Sequence, residues 1–127
     1  GYGCEDHFFE LDTLNHCWQT IDSLLGDDTT HGILCDVGMP MLHAGVRYNC
    51  RVFLCDGKIL GIRPKLFLAD DGNYRESRWF TAWTQPNVVE RTQLPPAIAA
   101  RTGQVSVPFG VFILQAPDGV TYTAETC

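Results

Sequence analysis

With 127 residues, of which 45% are hydrophobic and 19% charged, the chain has the size and composition of one globular domain. Its formal net charge is −6, and its nine lysines and arginines form no basic run, which argues against electrostatic binding of nucleic acid. No apolar run reaches membrane-spanning length and the first residues show no signal-peptide pattern, so we expect a soluble protein with neither a nucleic-acid nor a membrane partner.

The six cysteines allow two interpretations. A disulfide framework would imply secretion, whereas Cys35, Cys50 and Cys55 lie in apolar, strand-like runs, where a free cysteine behaves as a small buried hydrophobe. The chain has no CxxC pair and its four histidines are scattered, so no metal site is expected. The simpler interpretation is a reduced, cytoplasmic protein with mostly buried thiols.

An amphipathic helix is predicted near the start of the chain. Its apolar residues recur at three- and four-residue spacing and are Leu11, Leu14, Trp18, Ile21 and Leu25. Asp12 or Thr13 can cap the start of this helix, and Gly26 ends it. One face of the helix should therefore pack on a core while the other meets water.

Three strands are predicted after the helix. Residues 32–42 form a near-continuous apolar run, which is typical of a strand buried on both faces. Residues 46–55 and 58–63 flank the turn signal Asp56-Gly57. This pattern predicts an antiparallel hairpin between the second and third strands.

An acidic residue, Asp36, interrupts the first of these strands. It is either a site carboxylate or, as we favour, a buried acid held by backbone amides or by an arginine. Arg47 and Arg51 share one face of the next strand and could pair with Asp36 or with the acids of the helix, or could equally form a solvated or interface face.

The second half of the chain begins with a polar, aromatic and proline-bearing loop over residues 69–96. A loop of this length is seldom a mere linker, and it could be a lid, an interface or a locally packed segment. A helical turn at 97–101 and strands at 105–115 and 120–126 follow. One helix and about five strands predict a mixed α/β domain.

Lys65 and Cys127 are the candidate reactive residues. Lys65 lies between two apolar runs, where an ammonium is unfavourable without an anionic partner. The alternative is a lysine whose stem covers the core while its head reaches water. Cys127 also stands at the end of a predicted strand, and a nearby ammonium would favour its nucleophilic thiolate form. Open α/β sheets build their sites at such strand ends, so we expect the two side chains to converge.

Several stretches resemble one enzyme family. They are GYGCEDHFFELDTL, ILCDVGMPMLH, VRYNCRVFL, KILGIRPKLFLADDGNYRESRWFTAW, VPFG and the closing ETC. In this order they are similar to the amino-terminal glutaminase domain of glutamine-dependent NAD synthetases, a branch of the nitrilase or carbon–nitrogen hydrolase superfamily. The resemblance implies an α/β fold, namely a four-layer α-β-β-α sandwich that is present here only in part. It also implies a catalytic set of glutamate, lysine and cysteine.

The resemblance assigns the reactive residues to roles. Lys65 in RPKLFLA matches the catalytic lysine and Cys127 in ETC matches the nucleophile, whereas the general-base glutamate would precede the first residue. The implied chemistry is attack of the thiolate on the side-chain amide of glutamine, with the Lys65 ammonium stabilising the oxyanion. Ammonia leaves, and water hydrolyses the thioester to glutamate.

Two further residues are assigned by the resemblance. Tyr74 in GNYRE matches a tyrosine that lines the glutamine pocket, and Glu76 matches a second carboxylate near the lysine. From the residues alone, Tyr74 is equally well explained as a packed loop aromatic. Glu76 is likewise explained by an ion pair with Arg75 or Arg78 on a wet loop.

The resemblance therefore implies that residues 1–127 are a glutaminase domain truncated at both ends, inactive by itself and without a cofactor of its own. Its ammonia would pass to an absent synthetase domain of the same chain, which uses ATP and Mg to amidate deamido-NAD to NAD, in a homo-oligomer. The alternatives are a stand-alone nitrilase-type amidase and a non-catalytic interaction module whose aromatic loop is an interface. The residues that follow Cys127 would discriminate between them.

Overall fold

A computed structural model describes residues 2–124, and within them it contains seven strands and two α-helices. The strands are β1 (Cys35–His43), β2 (Val46–Cys55), β3 (Lys58–Pro64), β4 (Val89–Gln93), β5 (Ser106–Gly110), β6 (Leu114–Gln115) and β7 (Thr121–Tyr122). The helices are α1 (Leu11–Leu25) and α2 (Pro96–Thr102), and short 3₁₀ segments cover Tyr2–Phe9, Asp28–Thr30 and Glu76–Arg78. The fold is mixed α/β, as the sequence predicts.

Five strands form one sheet in the order β1-β2-β3-β5-β4, and β6 pairs with β7 in a separate ribbon. Neighbouring strands are antiparallel except β3 and β5, which are parallel. The predicted hairpin between β2 and β3 is confirmed, because Asp56 and Gly57 adopt the two positive φ angles, 49° and 69°, that a tight hairpin turn needs. The parallel pair requires a long crossover, and this crossover carries the polar loop, β4 and α2.

The predicted helix is confirmed as α1 and ends at Gly26 as predicted, but its amino-terminal capping differs from the prediction. α1 begins at Leu11 after Glu10, whose side chain forms no cap. Asp12 and Thr13 lie inside the first turn, where the Thr13 hydroxyl donates to the carbonyl of His7 (2.7 Å). The predicted caps are therefore wrong, because the helix starts two residues earlier than an Asp12 cap requires and three residues earlier than a Thr13 cap requires. No helix among the described residues is long and apolar enough to cross a bilayer.

The hydrophobic core lies between the helices and one face of the sheet. Its buried residues come from α1, α2, β1, the three central strands and the crossover loop, and include Ile21, Ile98, Val52, Ile62 and Phe109. Burial of one such side chain stabilises the fold by roughly 1.5–3 kcal/mol. This packing holds the central strands in place, and with them the strand end from which Lys65 projects.

The opposite face of the sheet is polar and partly open. The predicted burial of β1 on both faces is wrong, because Gly38 and Leu42 are exposed on this face while Met39 is buried on the core face. Asp36 also lies on the polar face, and Arg51 of β2 donates to both of its carboxylate oxygens. The expectation of an acid held by an arginine is confirmed.

Residues 69–96 contain a strand that the sequence did not predict. β4 pairs antiparallel with β5 at the edge of the sheet. Its sequence VERTQ carries polar residues on both faces, so hydrophobic alternation could not reveal it. The predicted strand 105–115 is instead divided into β5 and β6, and only β7 is paired within residues 120–124.

The five cysteines within residues 2–124 are thiols and form no disulfide, and of these five only Cys50 is buried. The prediction of mostly buried thiols is wrong, because Cys35 and Cys55 lie at strand ends, and Cys4 and Cys17 lie on half-exposed helical segments. Burial raises the pKa of the Cys50 thiol well above its usual value, which suppresses its reactivity.

Candidate active site

Lys65 lies directly after β3, where the crossover begins. Its side chain is only 14% exposed, and its ammonium nitrogen lies 2.7 Å from Oε2 of Glu76. Its backbone is held as well, because the Lys65 N–H donates to the carbonyl of Asn49 (2.8 Å) and the Trp83 N–H donates to the carbonyl of Lys65 (2.9 Å). The alternative of a lysine head in water is therefore wrong.

Glu76 is the buried anionic partner that the surroundings of Lys65 require. Its side chain is 5% exposed. Besides the Lys65 ammonium, its Oε2 accepts from the N–H of Ala69 (2.7 Å), and its Oε1 accepts from Nδ2 of Asn49 (3.1 Å). The alternative of an ion pair on a wet loop is wrong, since the carboxylate is buried and pairs with Lys65. A carboxylate can be buried in this way because strong donors replace its water.

A cavity of about 260 Å³ opens beside this group. Its lining includes Phe8, Gly38, Pro40, Asn49, Glu76 and Phe80. The cavity combines an apolar wall with a few polar atoms of the buried ion pair, which is the usual composition of a small-molecule site. Glu76 thus belongs to the cavity wall and pairs with the Lys65 ammonium, a group that can stabilise negative charge on a bound substrate.

Tyr74 lies in a different cleft. Its side chain is 50% exposed and borders a cavity of about 450 Å³, which Glu5, Arg75 and Trp79 also line. The structure thus does not bring Tyr74 to the cavity beside Glu76. Half exposure also argues against the alternative of a packed loop aromatic.

An ion pair joins the two sides of the Tyr74 cleft. Arg78 donates two hydrogen bonds to the carboxylate of Asp6 (2.7 and 2.8 Å), and the indole N–H of Trp79 donates a third (2.9 Å). These bonds hold the pKa of the Asp6 carboxyl well below its usual range. The cleft wall is therefore fixed by contacts between segments distant in sequence.

Cys127, the predicted nucleophile, lies outside the described residues. Its convergence with Lys65 therefore stays a prediction. The parallel pairing of β3 with β5, through Ile62 and Phe109, is the sheet geometry near Lys65 that the structure does describe. Among residues 2–124, no three histidine, cysteine or acidic side chains converge as a metal site.

Asn49 is the site residue that the sequence analysis missed. It occupies the middle of β2, and its amide reaches Glu76 across 27 residues of sequence. The available signal was an amide side chain between Arg47 and Arg51 on one face of the predicted strand VRYNCRVFL. That signal indicates a buried polar group but does not identify its partner.

Comparison with known proteins gives consistent results. Residues 1–123 match the family model described as carbon–nitrogen hydrolase. The chain is 52% identical over 127 residues to the glutamine-dependent NAD(+) synthetase of Saccharomyces cerevisiae. This alignment covers 100% of the chain and 18% of the yeast protein. Its identity to the Homo sapiens protein of the same name is 50% over 127 residues, again 100% of this chain and 17% of the human protein.

A solved structure is also similar. The crystal structure of a glutamine-dependent NAD(+) synthetase from Cytophaga hutchinsonii aligns with a TM-score of 0.77 and 30% identity, over 93% of this chain and 18% of that one. The chain thus spans about 18% of the length of the relatives it matches. The family model covers nearly every residue, and the chain belongs to the carbon–nitrogen hydrolase family.

Proposed function

We propose that this chain is the glutamine-hydrolysing part of a glutamine-dependent NAD(+) synthetase and that it supplies ammonia for the amidation of deamido-NAD(+). The observation that carries the proposal is the buried Lys65–Glu76 pair, which fixes an ammonium at a strand end through a carboxylate that lines a cavity. The family match and the names of the relatives support the choice of glutamine as substrate.

In the proposed reaction, Cys127 loses its proton to a glutamate that precedes Gly1 in the full-length protein, and its thiolate attacks the side-chain amide carbon of glutamine. Lys65 stabilises the oxyanion of the tetrahedral intermediate through its positive charge. The carbon–nitrogen bond breaks, the nitrogen takes up a proton and leaves as ammonia, and the acyl group remains as a thioester on Cys127. Water then cleaves the thioester to glutamate and restores the thiol.

The partners of the reaction are part of the same proposal. We infer that a synthetase domain of the same protein receives the ammonia and uses ATP and Mg, and that the enzyme is a cytoplasmic homo-oligomer. The short share of the relatives that this chain covers supports a further domain. Residues 1–127 alone are therefore expected to be inactive.

The test compares two ammonia sources in the full-length protein. Cys127→Ser and Lys65→Ala should abolish NAD formation from glutamine while leaving formation from added ammonium chloride within about twofold, because these residues act only in releasing ammonia. Lys58→Ala is the matched control, since Lys58 is the other lysine of the chain, is exposed, and donates to the carbonyl of Thr102 away from the site.

The outcomes separate the candidate functions. Equal loss with both ammonia sources in a folded variant would contradict the division of labour. Hydrolysis of small amides without any NAD formation would instead identify a stand-alone amidase. A full-length protein with no amidase activity at all would favour a non-catalytic module.

A further inference from the structure

Asn49 occupies an unusual place in β2. Its neighbours Tyr48 and Cys50 point into the core, whereas Asn49 is half-buried on the polar face. Its register partner in β1 is Pro40. The Asn49 side chain therefore projects from the polar face of the sheet, away from the core. It reaches the loop that carries Glu76, and its Nδ2 lies 3.1 Å from Oε1 of that residue.

Three hydrogen bonds close a ring through this residue. The carbonyl of Asn49 accepts from the backbone N–H of Lys65 (2.8 Å), the Lys65 ammonium donates to Oε2 of Glu76 (2.7 Å), and the Asn49 amide donates to Oε1 (3.1 Å). Asn49 thus contacts the backbone of the lysine and the side chain of its counter-ion at the same time. The ring ties the end of β3 to the loop across β2.

The chemistry of the ring requires a donor at position 49. A carboxylate only accepts hydrogen bonds, so the atom that faces Oε1 must be the amide nitrogen. Oε2 already accepts from Lys65 and Ala69, and a contact at Oε1 is what fixes the rotation of the carboxylate plane. Loss of this hydrogen bond would remove one of the contacts that hold the buried carboxylate facing the ammonium.

We propose that Asn49 is a positioning residue for glutamine hydrolysis, which holds the Glu76 carboxylate in the orientation that aims the Lys65 ammonium at the reacting carbonyl. The inference rests on the function proposed above. It predicts that loss of the Asn49 amide lowers kcat for glutamine more than it raises KM, because the ammonium acts on the oxyanion of the transition state.

The experiment uses the full-length enzyme with Asn49→Asp and Asn49→Leu. Glutamine hydrolysis and ammonia-supported NAD formation are both measured between pH 6 and pH 9. Asn87→Asp is the matched control, because it makes the same chemical change at an exposed residue outside the site. The Asn49→Asp variant is nearly isosteric, so it decides the question alone if Asn49→Leu does not fold.

Both variants should lose about tenfold to a hundredfold in kcat for glutamine, the range for a lost hydrogen bond to a charged group, with KM within about threefold. Ammonia-supported rates should stay within about twofold of wild type. The kcat of Asn49→Asp for glutamine, divided by that of wild type, should rise as the pH falls. The reason is that a proton shared between the new carboxylate and Glu76 restores the hydrogen bond. The same kcat ratio for Asn49→Leu should not change with pH.

Among the described residues, several charged groups near position 49 bear on the pH dependence of glutamine hydrolysis. Lys65 and Glu76 face position 49 from the crossover loop, and Arg47 and Arg51 flank it on the same face of β2. Arg51 is held by Asp36, and Arg47 lies over the ring of Phe9. These groups are the same in both variants, so a pH-dependent ratio in Asn49→Asp alone reports the new carboxylate.

Three results would overturn the proposal. One is glutamine hydrolysis within twofold of wild type in both variants. Another is a kcat ratio of Asn49→Asp to wild type that does not vary with pH. The third is an equal loss of ammonia-supported synthesis, which would indicate a general structural role. If the wild-type enzyme hydrolyses no glutamine, the proposed function fails first, and this inference fails with it.

Discussion

At the residue scale, the chemistry of the site depends on how a buried charge is compensated. Glu76 accepts from Lys65, Ala69 and Asn49, and the ammonium of Lys65 has this carboxylate as its counter-ion. Removing one member of a buried ion pair is far more unfavourable than removing both, because the remaining charge has no water to return to.

Replacing Glu76 should therefore destabilise the protein strongly. We expect Glu76→Ala to lower the free energy of unfolding by about 3–5 kcal/mol, measured by urea unfolding of the full-length protein. The double variant Lys65→Met with Glu76→Leu should recover most of that loss while remaining inactive with glutamine. A Glu76→Ala loss no larger than that of the double variant would show that the pair is not buried in solution.

At the element scale, the edge of the sheet depends on one glycine. Gly110 ends β5 with φ of 142°, a region that is open essentially to glycine alone. A Cβ atom there would lie 2.5 Å from the carbonyl oxygen of Val88, at the start of β4. Because that neighbour is backbone, β4 itself would have to move.

Gly110→Ala should accordingly weaken the pairing of β4 with β5. We expect a loss of at least about 1–3 kcal/mol in the free energy of unfolding, and faster amide hydrogen exchange along β4. Gly38→Ala is the control in β1, because its Cβ would meet nothing within 4 Å. Equal effects of the two substitutions would contradict the close approach at Gly110.

At the scale of the whole molecule, ion pairs connect segments that are distant in sequence. Asp6 pairs with Arg78, and Asp22 of α1 pairs with Arg101 of α2. Hydrogen bonds from these arginines, helped by Trp79 at Asp6, lower the pKa of both carboxyl groups. A carboxyl whose pKa is lower in the folded state adds stability above its unfolded pKa of about 3.9 and loses it as the pH falls through the folded value.

The double variant Asp6→Asn with Asp22→Asn should therefore unfold at a lower temperature than wild type at pH 7. The difference should shrink as the pH is lowered below about 4, because the aspartates of the unfolded chain then take up protons that the folded ion pairs still resist. Thermal unfolding at pH 7, 5, 4 and 3 measures both effects, with Asp71→Asn as an exposed control. A difference that stays constant with pH would show that the ion pairs do not form.

The sequence by itself determined the features that local chemistry specifies. The spacing of apolar residues predicted α1, and Asp56-Gly57 predicted the hairpin, because both depend on neighbours within a few residues. The apolar surroundings of Lys65 also indicated that its ammonium needs an anion. The polar sequence of β4 carried no such local signal, so its existence depended on pairing with β5.

Only the tertiary structure decided which groups meet. The resemblance placed Glu76 near Lys65, but the residues alone left Arg75 and Arg78 as its partners, and the contact forms because the crossover loop closes over the end of β3. The contact of Asn49 with Glu76 joins a strand to a loop 27 residues away. Such contacts are set by strand register and loop closure, which place distant residues together only after the core has packed. No local pattern specifies that outcome, so the contact of Asn49 with Glu76 could not be predicted from the sequence.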